Sequence, residues 1–228
     1  MKKIIYIFII SLFLSCNNER VLQLPEIKST ETTEVLDVSP IYIFYDETQS
    51  DSTLFNRNNL IGSTNWLVNV DKRLSLKQIF PHIEYLQKKR KKASMHNNEN
   101  AKNYFTCNDT SINNIGFVEF TDLNYTNNSI ADFITELYVN PSKTHKEYYV
   151  NFLTSDSLVI GNQTYIEGLN KMYLIETLRD KIKNDTLKPK IHLTFKQNLS
   201  FQDYISFKSE IFKLNKEPVE VSKNEFIY

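Results

Sequence analysis

The sequence is poor in two residue types on which many small functional folds depend. Among its 228 residues only 4 are glycine and 2 are cysteine. So few glycines exclude the glycine-rich loops that hold phosphate groups. Cys16 lies in the N-terminal segment, which leaves Cys107 without a partner for an internal disulfide. We therefore expect the fold to depend on the burial of apolar side chains alone.

An excess of charge of one sign is also lacking. The chain has 27 Lys and Arg against 27 Asp and Glu, a formal net charge of +0. This balance argues against a nucleic-acid partner, because such proteins bind by neutralising phosphates. Hydrophobic residues make up 41% and aromatic residues 13% of the chain, enough for a packed core. The length after the N-terminal segment suits one large or two small domains.

Motifs for catalysis or metal binding are missing as well. The chain has 4 histidines, at His82, His96, His145 and His192. None stands at the spacing of a metal site, and there is no nucleophile elbow or metalloprotease motif. His96 and Cys107 share a polar stretch, but their spacing supports no site. Asp46 and Asp71 end predicted strands and are interpreted as turn residues. We therefore predict no catalytic activity, no cofactor and no metal.

The N-terminal residues 1–16 have the organisation of a secretory signal. Lys2 and Lys3 precede an apolar run from Ile4 to Leu14, and Ser15 stands directly before Cys16. A positive start, a short apolar core and a small residue are typical of a cleaved leader. The run is about 11 residues, whereas a bilayer-spanning helix needs about 20.

The position of Cys16 resembles the lipobox of bacterial lipoproteins, although Leu14 replaces the usual small residue. The resemblance implies cleavage before Cys16 and a lipid on its thiol. We therefore expect a protein anchored by lipid to a membrane of the bacterial cell envelope, with inner and outer membrane both open. The alternative is a plain secretory signal with an incidental cysteine.

The remaining chain divides into a tether and two folded units. Residues 17–40 are polar, contain prolines and show no periodicity, which predicts a flexible tether. Alternating and helical patterns predict α+β units over 41–140 and 141–228, with a polar, Asn-rich insertion at 93–114. The predicted fold class is α+β, built from βαβ units, with a mixed sheet and helices on one face.

An internal repeat supports this division. The segments Trp66–Leu76 and Ile191–Phe201 align without gaps, each a predicted strand, a polar turn and Leu-Ser before a helix. Ser75 and Ser200 are the predicted helix caps. Pro81 lies past the first turn of the first helix, so that helix begins either at Ser75 or at Pro81. Duplication and independent use of a common unit both remain open.

The second copy of the repeat also predicts the orientation of the His192 side chain. His192 alternates with Ile191 and Leu193, whose apolar side chains are expected to face the core. Because successive side chains in a strand point to opposite faces, His192 is predicted on the solvent face.

The strongest charge cluster ends the first predicted helix. It consists of Lys88, Lys89, Arg90, Lys91 and Lys92. Cations at a helix C-terminus suit the helix dipole, so a solvated helix end is one interpretation. The other is contact with a protein partner or with anionic lipid headgroups, worth about 1 kcal/mol per residue near a charged membrane.

Several segments resemble the periplasmic domain of the ExbD/TolR biopolymer-transport family. Leu24–Pro25, followed by Ser and Thr, is similar to that family's segment after the membrane helix. Leu158–Gln163, followed by a helix, resembles its strand–turn–strand opening before a helix. Lys190–Leu193 and Phe201–Ile205 resemble its second strand and a helix opened by an aromatic residue. The resemblance covers about Ser157–Tyr228 and implies docking on envelope partners.

Proton transport is not carried over from that family. Its members have an aspartate in a membrane helix, and residues 1–16 contain no acidic residue. We therefore predict a non-catalytic envelope lipoprotein that binds a protein partner, as an accessory of an ExbD/TonB-like transport or envelope complex. The alternatives are a lipoprotein that binds a glycan or small ligand, and a hydrolase whose carboxylate and histidine meet only in the fold.

Overall fold

The structure is a computed structural model that describes residues 20–92, 98–127, 130–215 and 217–228. The predicted signal peptide and lipidated Cys16 lie outside these residues, as does His96. In the described ranges no helix is long and apolar enough to cross a membrane.

The first of two sheets has 6 strands. They are β1 Glu26–Ile27, β2 Val38–Tyr45, β3 Thr53–Asn56, β4 Asn65–Val70, β5 Asn103–Asp109 and β6 Asn114–Glu119. β2, β4 and β5 are parallel neighbours, and β3 and β6 form antiparallel hairpins with β2 and β5. β1 adds a short parallel pairing to the far end of β5. The parallel centre requires the helical crossover between β4 and β5.

The second sheet also has 6 strands, in the order β10-β9-β8-β11-β12-β7. They are β7 Asn124–Thr126, β8 His145–Phe152, β9 Ser157–Gly161, β10 Ile166–Asn170, β11 Lys188–Phe195 and β12 Glu220–Ile227. β8, β11, β12 and β7 are parallel, while β9 and β10 continue as antiparallel hairpins.

Four helices complete the fold described here. They are α1 Leu76–Lys92, α2 Ile130–Val139, α3 Leu174–Ile182 after a 3₁₀ turn at Lys171–Tyr173, and α4 Phe201–Phe212. α1 and α3 each contact α4. Their apolar faces and the sheets share one buried core, which includes Trp66, Phe105, Phe152 and Tyr204. The predicted class, α+β with mixed sheets, is confirmed, and α1, α3 and α4 lie together on one face.

The two repeat segments fold alike and pair with each other. In both units a strand, a turn and a helix lead to a parallel strand, β4-α1-β5 and β11-α4-β12. Ser75 and Ser200 form an antiparallel bridge. The N–H of Leu76 donates to the carbonyl of Leu199 (2.9 Å), and the N–H of Phe201 donates to that of Leu74 (2.8 Å). Equivalent residues therefore exchange equivalent hydrogen bonds, as a local two-fold relation requires.

Each helix of the repeat begins where its cap residue predicts. The hydroxyl of Ser200 accepts from the N–H of Asp203, and the Asp203 side chain accepts from the N–H of Ser200, which makes a capping box. The Gln78 side chain accepts the Ser75 N–H at 2.8 Å. α1 therefore starts at Leu76 rather than at Pro81, which it contains.

The predicted flexible tether, residues 17–40, is wrong for most of the described part. β1 pairs with β5, Thr32 bridges to Phe117, and β2 already begins at Val38. Pro25 and Ile27 are buried. The segment has no periodicity because it contributes short pieces to a sheet edge rather than a whole element.

The predicted insertion at 93–114 and the limit of the first unit at residue 140 also differ from the structure. β5, at Asn103–Asp109, is almost entirely buried in the first sheet. Its Tyr, Phe and Thr are good strand formers, but the flanking asparagines, which are depleted in strands, obscured that signal. β7 and α2, expected in the first unit, pair and pack with the second sheet.

Candidate functional site

The outer edge of the second sheet is the candidate functional site. β10 pairs antiparallel with β9 on one side, and no strand of the described chain pairs with its other side. In the turn that connects β9 to β10, the Asn162 N–H donates to the Tyr165 carbonyl at 3.0 Å. Hydrogen-bonded pairs alternate along an antiparallel ladder, so Ile166, Gly168 and Asn170 direct their backbone groups to the open edge.

The sequence of the β9–β10 hairpin explains its geometry. Asn162 Oδ1 accepts from the backbone N–H of Thr164 (2.8 Å) and Tyr165 (3.3 Å), an Asx turn. A Cβ atom at position 161 would lie 2.4 Å from Tyr149 Oη, so only glycine allows the close approach of this tyrosine. A Cβ atom at position 168 would have no neighbour within 4 Å, so the middle of β10 is open.

Apolar side chains flank this open edge. Ile166 is 69% exposed on β10. The C-terminal end of α2 is held to the same hairpin, since Tyr138 Oη donates to the Asn162 carbonyl at 2.8 Å. Tyr138 and Val139 are 42% and 70% exposed there. An unpaired strand edge next to exposed apolar groups is the arrangement that binds extended peptide segments.

The predicted basic run is only partly free. Arg90 turns inward, with its guanidinium carbon 3.7 Å from the Trp66 ring centroid. It donates to the carbonyls of Gly62 and Thr64 and to Asn103 Oδ1. Burial lowers the pKa of Arg90 to about 10. Arg90 therefore holds the end of α1 against the first sheet, which removes it from the predicted headgroup contact.

The lysines of the run remain on the surface. Lys88 forms an ion pair of 2.9 Å with Glu84, one turn earlier on α1. Lys89, Lys91 and Lys92 are exposed. Contact of these three lysines with headgroups or a partner stays a prediction.

His192 is buried, and its predicted place on the solvent face is wrong. It is 8% exposed, because α2 lies across that side of β11 and places Phe133 4.9 Å from its ring. Its Nε2 lies 2.5 Å from Glu147 Oε2. Its Nδ1 has no hydrogen-bond partner in the described residues. Strand alternation alone could not show that a helix from elsewhere covers this face.

The burial of His192 predicts a pH dependence of stability. Burial lowers its pKa below 6.5, Glu147 and Glu220 oppose that shift, and Lys190 adds to it. The unfolded chain takes up the proton more readily, so the stability due to neutral His192 is present above pH 6.5 and is lost as the pH falls below it. Urea unfolding at about pH 7.5 and about pH 5.5 measures the loss.

His192→Gln tests the assignment of that pH dependence. The variant should lose less stability than the original protein between the two pH values, because its side chain does not titrate. An equal loss in both proteins would show that His192 does not cause it.

The other groups considered from sequence have structural roles. Asp71 is fully buried and receives two bonds of 2.8 Å from the Arg73 side chain. Burial raises its pKa, but hydrogen bonds from Arg73 and Gln23 outweigh this and lower it. Asp46 Oδ1 accepts from Thr48 in a turn. Cys107 is buried in β5, and burial raises the pKa of its thiol.

No group of three or more metal-binding side chains occurs among the residues that the structure describes. Two carboxylate–histidine pairs meet in the described chain: Glu147 with His192 beneath α2, and Glu220 with His145 at 3.3 Å on the surface. The hydrolase alternative, which requires such a pair in a pocket, stays a prediction.

The local sequence pattern gave no bounds for β10. The segment Leu158–Gln163 predicted a strand and a turn, but no pattern assigned a strand to Ile166–Asn170. Ile166–Asn170 alternates between exposed and half-buried residues, as an edge strand does. That alternation was the available signal, and Gly168 obscured it because glycine is a poor strand former.

Comparison with known proteins found no match: neither a family model, nor a curated protein, nor a solved structure resembles this chain significantly. The ExbD/TolR resemblance therefore rests on the sequence segments quoted above.

Proposed function

We propose that this protein is a non-catalytic lipoprotein of the cell envelope that binds a protein partner through the open edge of β10. The observation that carries the proposal is the unpaired edge at Ile166, Gly168 and Asn170. Main-chain groups there offer hydrogen bonds to an added strand, and Ile166 offers an apolar contact. The partner is an extended segment of an envelope protein, in a complex of the transport or maintenance kind.

Two further features support a surface for strand addition. Edge strands are commonly protected by a proline, an inward-pointing charge or a covering element. β10 has no proline, and its charged residue, Glu167, is paired with Lys181 of α3 at 3.0 Å. The hairpin is also rigidly held by the Asx turn and by α2, so little order has to be gained on binding.

Ile166→Lys should reduce partner binding about tenfold or more, because a lysine on a strand edge disfavours pairing and removes the apolar contact. A photo-crosslinking residue at Met172, which is 74% exposed just beyond β10, reports binding in intact envelopes. The crosslinked band should disappear in the Ile166→Lys protein.

Ile115→Lys is the matched control. Ile115 is also an exposed isoleucine on a strand, in β6 of the first sheet, and is 45% exposed. This variant should keep the crosslink at Met172. A band that survives Ile166→Lys, or that is lost equally in both variants, would refute binding through β10.

A further inference from the structure

A second site lies where the two units meet. A cavity of about 520 Å³ is lined by β1, by one side of α4 and by the residues that follow β10. Its volume is within the range of small-ligand pockets. The lining is mostly polar and charged, and includes Lys171, Ser206 and Ser209.

The carboxylates that line this cavity are already engaged. Glu26 forms an ion pair of 2.9 Å with Lys72, and Glu210 one of 2.6 Å with Lys213. Asp156 Oδ2 accepts from its neighbour Ser155 at 3.1 Å. The amide of Gln202 is occupied too, because it bonds both backbone groups of Glu26.

The hydrogen-bond donors, by contrast, remain available. Lys171 Nζ donates to Ser206 Oγ and lies 4.7 Å from the Phe207 ring centroid. No carboxylate of the described chain forms an ion pair with it. Over the same residues, the hydroxyl protons of Ser206 and Ser209 have no acceptor. The cavity therefore presents an ammonium and two hydroxyls that no carboxylate of its wall engages.

The surroundings of Lys171 favour an anion beside its ammonium. Burial and the charge of Lys28 lower its pKa, whereas Glu210, Asp203 and Asp156 act in the opposite direction. A partly desolvated ammonium is stabilised by any anion that binds next to it. Perturbed groups that face a cavity are common at binding sites.

We propose that this cavity binds the carboxylate of a small monoanionic ligand. One carboxylate oxygen accepts from Lys171 Nζ and the other from the Ser206 hydroxyl. The acidic side chains of the wall disfavour a phosphate dianion, because like charges repel at this range. The ligand is either a free small acid or the C-terminal residue of a peptide, which share this group.

Acetylation of Lys171 measures occupancy directly. The protein is treated with acetic anhydride, and mass spectrometry follows the rate at Lys171 in the presence of competing compounds. The competitors are N-acetyl amino acids and N-acetyl tripeptides, each as the free acid and as the carboxamide. Free acids should slow the reaction at least about tenfold near saturation, and carboxamides should not.

Two lysine variants test whether the charge of Lys171 itself is needed to bind the acids. Lys171→Met, which keeps the volume and loses the charge, should abolish calorimetric binding of the acids. Lys181→Met is the matched control, since Lys181 also lies over an aromatic ring, 4.4 Å from Tyr165. It should bind the acids as the original protein does.

The outcomes decide the proposal. Protection by single acids indicates a free small acid, and protection by tripeptide acids alone indicates a chain end. Equal protection by acids and carboxamides would overturn the carboxylate site. So would the absence of protection by every acid up to about 10 mM, a concentration at which even weak specific binding is detected.

Discussion

Replacing Glu225 with alanine should lower the free energy of unfolding by about 3–5 kcal/mol, because it leaves a buried charge without its partner. Glu225 of β12 is 0% exposed and accepts hydrogen bonds from Lys208 Nζ and from Tyr204 Oη, the latter at 2.7 Å. Lys208 is 5% exposed, so the ammonium left behind cannot reach water freely. Urea denaturation followed by far-UV circular dichroism measures the loss.

Two controls make this expectation specific. The double variant Lys208→Met with Glu225→Leu should cost far less, because apolar residues of similar size replace a buried ion pair without leaving a charge. Asp122→Ala breaks an exposed pair of 2.7 Å with Lys223 and should cost less than about 1 kcal/mol. A loss below about 1 kcal/mol for Glu225→Ala would contradict the burial of this network.

The network matters because it joins an edge strand of the second sheet to α4. Tyr204 Oη of α4 also lies 3.2 Å from Tyr125 Oη, and Tyr125 belongs to β7, the strand at the edge of the second sheet next to β12. Burial raises the pKa of both tyrosines well above 10.0, so both stay neutral and can donate. The chain from Tyr125 to Lys208 therefore fixes β7 and β12 against α4.

Cys16→Ala should release the protein from membranes almost completely. If the proposed lipid on Cys16 is the anchor, the variant has neither the acyl chains nor a described helix that could span a bilayer. Fractionation of envelopes, together with labelling by a fatty-acid analogue, measures both membrane retention and lipid attachment. In the variant, both the fatty-acid label and the protein in the membrane fraction should be lost.

Ser15→Thr is a suitable control, because it keeps the thiol and a small residue before it and should keep both the label and the membrane fraction. Retention of Cys16→Ala on membranes would refute lipid anchoring at this residue. It would leave binding through β10 untouched, since that edge lies far along the chain and is tested separately.

The sequence predicted the fold best where strand and helix signals were undisturbed. The matching segments Trp66–Leu76 and Ile191–Phe201 predicted two equal strand–turn–helix units, because the caps Ser75 and Ser200 and the apolar alternation are local properties. It failed at β5, where asparagines flank a buried strand. It also failed at β1, since a strand of two residues has no period to detect.

The sites depended on contacts that no local pattern contains. Arg90 was expected in a basic surface run, but the ring of Trp66 draws it inward. His192 was expected in solvent, but α2, a helix from an earlier part of the chain, covers it. The edge of β10 is open because no described strand pairs with it, which only the fold reveals. The contact between Lys171 and Ser206 joins a turn to the middle of α4.

The most direct test of binding through β10 is backbone hydrogen exchange. It is measured by NMR on isotope-labelled protein before and after addition of the partner protein that the crosslink at Met172 captures. The amides of Ile166, Gly168 and Asn170, which face the open edge, should exchange fast in the free protein and become protected in the complex. The amides of Glu167 and Leu169, already bonded to β9, should change little. Unchanged exchange at Gly168 in a saturated complex would contradict the proposal that the partner adds a strand there.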